Sequence, residues 1–233
     1  MHPFGFYGID QYYIILVLPA LAFAMYAQYK VNSTFKKFSQ YFSHGGMTGA
    51  DVARQILDSS GLNNVKVEHI AGELSDHYDP KANVIRLSDT VYGSKSVAAL
   101  GVAAHETGHA IQHSKRYMPI IIRNAFVPVA SIGSHAAFPL AIIGLIFNFP
   151  MLVTFGIILF TAVVLFQIIT LPVEFNASSR AIAILDQSVI LSGEELNAAK
   201  KVLNAAAMTY VAAAAVSLAN LLRLLLLSRG RDK

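Results

Sequence analysis

The chain has 233 residues, 55% of them hydrophobic and 14% charged, and a net charge of +4. Soluble domains average about 25% charged residues, so this balance is off for one, and together with a mean hydropathy of +0.50 it points to an integral membrane protein with a modest polar portion. Cysteine is absent, which excludes disulfides and thiolate-bound metal, and the basic residues gather near the ends of apolar runs, where lipid headgroups rather than nucleic acid would meet them.

The first apolar run, Tyr12 to Tyr29, is bracketed by Tyr12, Tyr13, Tyr26 and Tyr29 and followed by Lys30, Lys36 and Lys37. A cleaved signal peptide needs a basic start, and no Lys or Arg precedes Lys30. The run is therefore expected to be a retained span with its basic end cytoplasmic; a buried core helix is the alternative. Residues 30–116 are polar enough to fold in water or at the interface. Thr48 reads as the N-cap of an amphipathic helix running to about Ser59 and ended by Gly61. Val65 to Ile70 and Asn83 to Ser88 alternate as strands do, with Asp79 to Asn83 supplying turn residues, so a small sheet is expected. A free edge on the Asn83–Ser88 strand is expected to receive an extended substrate.

A helix from about Ser96 to Lys115 follows. Asn124 to Val173 then contains no Asp, Glu, Lys or Arg over 50 residues. At about 1.5 Å per residue this is too long for one crossing of a roughly 30 Å hydrocarbon core, and Asn148-Phe149-Pro150 is a turn in its middle. A two-span hairpin is expected, 124–147 and 151–171, kinked at Pro128 and Pro139. His135 lies inside it and is expected to face a helix neighbour. Beyond the hairpin, Glu174 to Ile190 and Glu194 to Asn204 read as surface helices, the second capped by Ser192. Ala205 to Leu222 is either a fourth span or a buried helix.

The chemistry centres on His105-Glu106-Thr107-Gly108-His109. Two histidines four apart project from one helix face, where both imidazoles can meet one tetrahedral zinc. Glu106 is then placed beside the ion rather than on it, suited to take a proton from the attacking water and return it to the leaving amine. His113 lies two turns from His105, too far along the axis for the same ion. The scheme that recruits a third histidine fails too, because its required positions hold Gln112 and Lys115. A third ligand must come from elsewhere. Only Glu174, Asp186, Glu194, Glu195 and Asp232 are acidic after His109. A two-span hairpin returns position 174 to the side where the His-Glu helix ends, which favours Glu174; capping of a helix that begins at Pro172 is the other reading. Tyr210, Arg180 and His77 are the candidates for stabilising the oxyanion of the tetrahedral intermediate.

With these residues in view, the chain resembles the YugP-like bacterial membrane zinc metallopeptidases. The resemblance runs through Asp76-His77-Tyr78-Asp79-Pro80, Ala104 to Ala110, Leu171-Pro172-Val173-Glu174-Phe175-Asn176-Ala177-Ser178 and Met208-Thr209-Tyr210-Val211. It implies kinship with the integral-membrane gluzincins that include the heat-shock and prenyl-protein endopeptidases, in which two spans separate the His-Glu helix from a glutamate ligand. It further implies one Zn2+ per chain at His105, His109 and Glu174, with Glu106 as general base. The wider group has Asp four residues after the glutamate ligand, supporting the histidines; this chain has Ser178, so that support falls to Ser178, Asn176 or another group.

The expected fold is a mainly α membrane protein, with transmembrane helices and a small minigluzincin-like α+β catalytic domain built on the His-Glu helix. Its expected organisation is an N-terminal transmembrane helix (1–30), an interfacial or cytoplasmic part with the sheet and zinc helix (31–118), a two-span hairpin (119–172), and the glutamate-ligand and C-terminal helices (173–233). The expected function is zinc-dependent endopeptidase action on membrane-associated or misfolded proteins, in a multi-pass cell-membrane protein whose site faces the cytoplasm. Expected partners are the protein substrate, the bilayer, and a membrane-protein partner or second copy; nucleic acid is not among them. An intramembrane protease with the metal inside the bilayer needs an Asp ligand in an apolar span, and the 124–173 hairpin has none. A zinc-stabilised scaffold without catalysis is the alternative, against which the intact Glu106 argues.

Overall fold

A computed structural model describes residues 10–229. It is mostly helical, with one small sheet. A π-helical turn at Tyr13–Val17 leads into α1 (Leu18–Phe38). Then come α2 (Gly49–Ser59), β1 (Lys66–Ile70), β2 (His77–Asp79), β3 (Val84–Ser88), α3 (Val97–Ser114), α4 (Met118–Ile146), α5 (Pro150–Gln187) and α6 (Gly193–Arg229). Four of these helical stretches, Tyr13–Phe38, Met118–Ile146, Pro150–Gln187 and Gly193–Ser228, are long and apolar enough to cross a membrane. The chain divides into two compact units.

One unit comprises Gln28–Ile121 and Pro172–Met208. Its α2 starts where the sequence places it. Thr48 accepts from the Asp51 N–H, and Asp51 accepts in return from the Thr48 N–H at 2.9 Å, a reciprocal pair that satisfies two orphan donors. The Thr48 hydroxyl, and after it the Thr48 N–H, hold the Asp51 carboxyl below its ordinary range. At the other end Gly61 takes the left-handed conformation, φ +73°. The sheet has the order β1-β3-β2, with β1 parallel and β2 antiparallel to β3. Asp79 accepts from the backbone of Lys81 and Ala82 at 2.9 and 3.1 Å and closes the β2–β3 turn. Val84, Ile85 and Leu87 are buried, so the sheet packs through its middle strand. The free edge expected on β3 does not exist: β3 is central, its two sides taken by β1 and β2. Alternation marks a strand but carries no information about which neighbours it acquires.

Two other expectations are corrected here. No helix begins at Pro172; α5 runs through it to Gln187. A proline removes one backbone donor and costs about 3 kcal/mol inside a helix. Beyond it, Val173, Ala177, Ala181 and Leu185 form a stripe at four-residue spacing that is fully buried, and breaking the helix would misplace all four. Likewise 194–204 and 205–222 are not separate helices but parts of α6, since the Ala205-Ala206-Ala207 junction is the strongest helix former available.

The second unit comprises Met1–Ala27, Ile122–Leu171 and Thr209–Lys233. Its core gathers Ala137 and Ala141 of α4, Phe160, Val163 and Val164 of α5, and Leu221 and Leu224 of α6, with Phe138 and Phe160 edge to face at 5.4 Å. Pro128 and Pro139 both lie within α4. His135 is exposed and pairs through Nδ1 with the Ser131 carbonyl one turn back, at 2.8 Å, rather than meeting the helix neighbour expected of it; the short local bond replaces a partner across helices. An ion pair also stands here: the buried Arg223 donates through Nε to the half-buried Asp10 Oδ2 at 2.8 Å and lies over the Tyr13 ring.

Candidate metal centre

The centre is assembled from α3 and the Pro172–Gln187 part of α5, all within the first unit. Ser96 caps α3, accepting from the Ala99 N–H at 3.2 Å, and fixes the frame in which His105 and His109 stand one turn apart. The two helices meet at Gly108. A methyl there would lie 2.8 Å from the Ala177 carbonyl oxygen, so only glycine lets the α5 backbone come this close. That approach carries Glu174, one turn before Ala177, to the histidines.

Three ligand-type atoms converge. His105 Nε2 and His109 Nε2 are 3.1 Å apart, and Glu174 Oε2 is 3.3 Å from the first and 3.6 Å from the second. Atoms bonded at about 2.0–2.1 Å to a tetrahedral zinc stand roughly 3.3–3.4 Å from one another. The three separations bracket that value, and two imidazoles with one carboxylate are donors zinc accepts, so the residues fit the ion. Glu174 is nearly sealed, its side chain 4% exposed. Burial works against charge on His109, but its bond to Glu174 and the charge of Glu106 outweigh this and raise its pKa above the ordinary histidine value.

Around these atoms lies an outer set of hydrogen bonds. His105 Nδ1 pairs with Ser178 Oγ at 3.1 Å, so Ser178 occupies the supporting place that the sequence left open. His109 Nδ1 pairs with Gln112 Oε1 at 3.0 Å. Gln112 Nε2 donates to the Val173 carbonyl at 2.8 Å and to Asn176 Oδ1 at 3.0 Å. Arg180 Nε donates to the same Asn176 oxygen at 2.7 Å. Gln112 is the residue that sequence reasoning missed, having treated it only as a place where no third histidine stands. The sequence carries no signal for it: Gln112 stands beside the polar His113 and Ser114 at the end of α3, and only the fold shows that it is fully buried.

Of the other candidates, Glu106 is buried, 8% exposed, with its charge felt at His109. His77 lies on β2, its Nδ1 paired with the Ser75 carbonyl at 2.8 Å and its Nε2 3.4 Å from Arg86. Arg180 is engaged with Asn176 rather than placed among the three ligand-type atoms. Tyr210 lies on α6 in the other unit. His113 is exposed and stacks obliquely on Tyr78, 6.0 Å between centroids.

A family model described as "Putative neutral zinc metallopeptidase" matches residues 13–229. The "Putative membrane protease YugP" of Bacillus subtilis (strain 168) is 47% identical over 222 residues, covering 95% of this chain and 99% of that protein. No solved structure matches the chain. A match over almost the whole chain, with its three ligand-type side chains gathered at one point, makes this chain a member of the family described as "Putative neutral zinc metallopeptidase".

Proposed function

We propose that the chain is a multi-pass membrane endopeptidase that hydrolyses peptide bonds of membrane-associated or misfolded proteins with one zinc ion per chain. The observation that carries this reading is the convergence of His105, His109 and Glu174 within 4.8 Å of one another. Two histidines and one glutamate are a catalytic rather than a structural ligand set, because they leave a fourth position open. Zinc bound there would act as a Lewis acid, lowering the pKa of water toward neutrality and polarising the scissile carbonyl.

The chain's own residues do the rest. His105, His109 and Glu174 hold the ion. Glu106, one residue from the first ligand, accepts the proton of the attacking water and delivers it to the departing amine. Of the three candidates for the oxyanion, Arg180 and His77 lie in the unit that holds the ligand-type atoms; Arg180 gives its Nε–H to Asn176 and keeps its terminal N–H donors for this role. An extended substrate adds to the outer side of β2, the edge strand that packs on α3, where backbone bonds give affinity with little sequence selectivity. The functional parts follow as a first span (1–30, of which 1–9 lie outside the described residues), a sheet and zinc helix (31–118), a hairpin (119–172) and the glutamate-bearing C-terminal part (173–233, of which 230–233 lie outside them), the catalytic ones forming a small gluzincin-type domain. The cytoplasmic face is our reading for the site, supported by the basic residues Lys30, Lys36 and Lys37 that follow the first span.

Glu106→Gln in the purified, detergent-solubilised protein tests this. Cleavage of an unfolded protein substrate is expected to fall by about 100-fold or more, the scale of general base catalysis, while zinc content by metal analysis stays at that of the natural chain. Proteolysis that survives the change would sink the mechanism. Sidedness is read separately, by labelling of a single cysteine placed at Gly93 in sealed cells; reaction with an impermeant reagent from outside would put the site on the other face.

A further inference from the structure

We infer that Gln112 is the positioning residue for His109: it holds the imidazole in the tautomer whose Nε2 lone pair faces the metal. The inference rests on the ligand assignment proposed above and goes beyond it to a residue that touches no ion or substrate.

The polarity of each contact follows from donors and acceptors alone. A side-chain amide has one accepting end and one donating end, and which is which follows from what surrounds it. One end of Gln112 lies 2.8 Å from the Val173 carbonyl oxygen. A backbone carbonyl only accepts, so this end must be the NH2 group. The same end meets the Asn176 side chain at 3.0 Å, and there the polarity is set independently. Arg180 Nε sits 2.7 Å from that Asn176 atom, and a guanidinium only donates, so the atom is oxygen and accepts from Gln112 as well. With its donating end fixed twice over, Gln112 turns its oxygen to His109 Nδ1 at 3.0 Å. Nδ1 must therefore carry the proton, and Nε2 is left with the lone pair that a metal needs. Gln112 is fully buried, so water cannot stand in for either end. The Val173 carbonyl and Asn176 lie on the helix that carries Glu174. The same contact that delivers the carboxylate ligand therefore also orients the second histidine.

The polarity makes the inference testable with side chains of nearly equal size. Gln112→Met keeps the volume and removes the acceptor. Zinc affinity of the detergent-solubilised protein, measured by competition with a chromophoric chelator, is expected to fall about 10- to 100-fold, the usual scale for losing the outer partner of a metal-bound histidine. Asn176→Asp keeps an acceptor in place and is expected to leave affinity near that of the natural chain. Asn176→Leu removes it and is expected to lower affinity, but by less than Gln112→Met, because the Val173 carbonyl still holds the amide. Zinc affinity unchanged in Gln112→Met would overturn the inference, as would Asn176→Asp as damaging as Asn176→Leu. Thermal unfolding of the metal-stripped proteins shows whether each variant folds; should Gln112→Met not fold, the Asn176 pair decides alone, and equal affinities there reject the inference. His109→Ala and Glu174→Ala separate this from the underlying reading. If they retain zinc, the ligand assignment is wrong; if they lose it and Gln112→Met does not, only the role of Gln112 is.

Discussion

The two halves of α5 are built on different principles. From Pro150 to Leu171 the helix has no charged residue, and it buries Val153, Phe160, Val163 and Val164. From Pro172 to Gln187 it carries Glu174, Asn176, Ser178 and Arg180, each bonded to a named atom of α3 or of its own helix. In the first half a side chain needs about the right size and apolarity. In the second it needs a particular polarity at a particular atom, because buried polar groups are costly unless matched. One continuous helix thus changes from tolerant to exacting at Pro172, and that change should appear in substitution effects.

The largest effect should come from Glu174→Ala, which is expected to abolish stoichiometric zinc, read by metal analysis, whereas Thr161→Ala in the apolar half should leave it untouched. Equal zinc in the two would erase the distinction. Next is Leu185→Ala, at the end of the fully buried stripe, with an expected loss of about 2–5 kcal/mol in thermal unfolding. Gly108→Ala should cost about 1–3 kcal/mol by forcing α3 and α5 apart, and it should weaken zinc binding at the same time, a coupling that Leu185→Ala need not show. Ile157→Leu, a volume-conserving change in the apolar half, should cost less than about 1.5 kcal/mol; a larger loss would show that half to be exacting too. Thr48→Ala lies outside α5 and sets the scale, since loss of an N-cap costs about 1 kcal/mol. The contribution of the Thr48–Asp51 pair is also pH-dependent. The Asp51 pKa is lower folded than unfolded, so its stabilisation is complete above the unfolded value near 3.9 and is lost as pH falls through the folded one.

What was legible in the sequence was local. Thr48 and Gly61 bound α2, and Ser96 and Lys115 bound α3, because capping chemistry is written within a turn of each helix end. The hairpin followed from a length of uncharged chain and a hydrocarbon thickness. The rest depended on contacts between distant segments. Pro172 signals a break locally, yet the stripe from Val173 to Leu185 keeps the helix whole. The central place of β3 depends on which strands reach it. The convergence of Glu174 with the two histidines was reachable by elimination and hairpin geometry, but the contacts of Gln112 were not, because they exist only where α3 meets Val173 and Asn176, some sixty residues on.

Gly108 has a bearing on how such a site can drift over generations. With 2.8 Å between a would-be methyl and the Ala177 carbonyl, the obstacle is backbone, and no change of side chain at 177 can relieve it. Most positions in a protein core can be exchanged in compensating pairs; this one has no partner to trade with. In a library randomised at 108 and 177 and selected for zinc retention, variation should survive among small residues at 177, while 108 returns glycine alone.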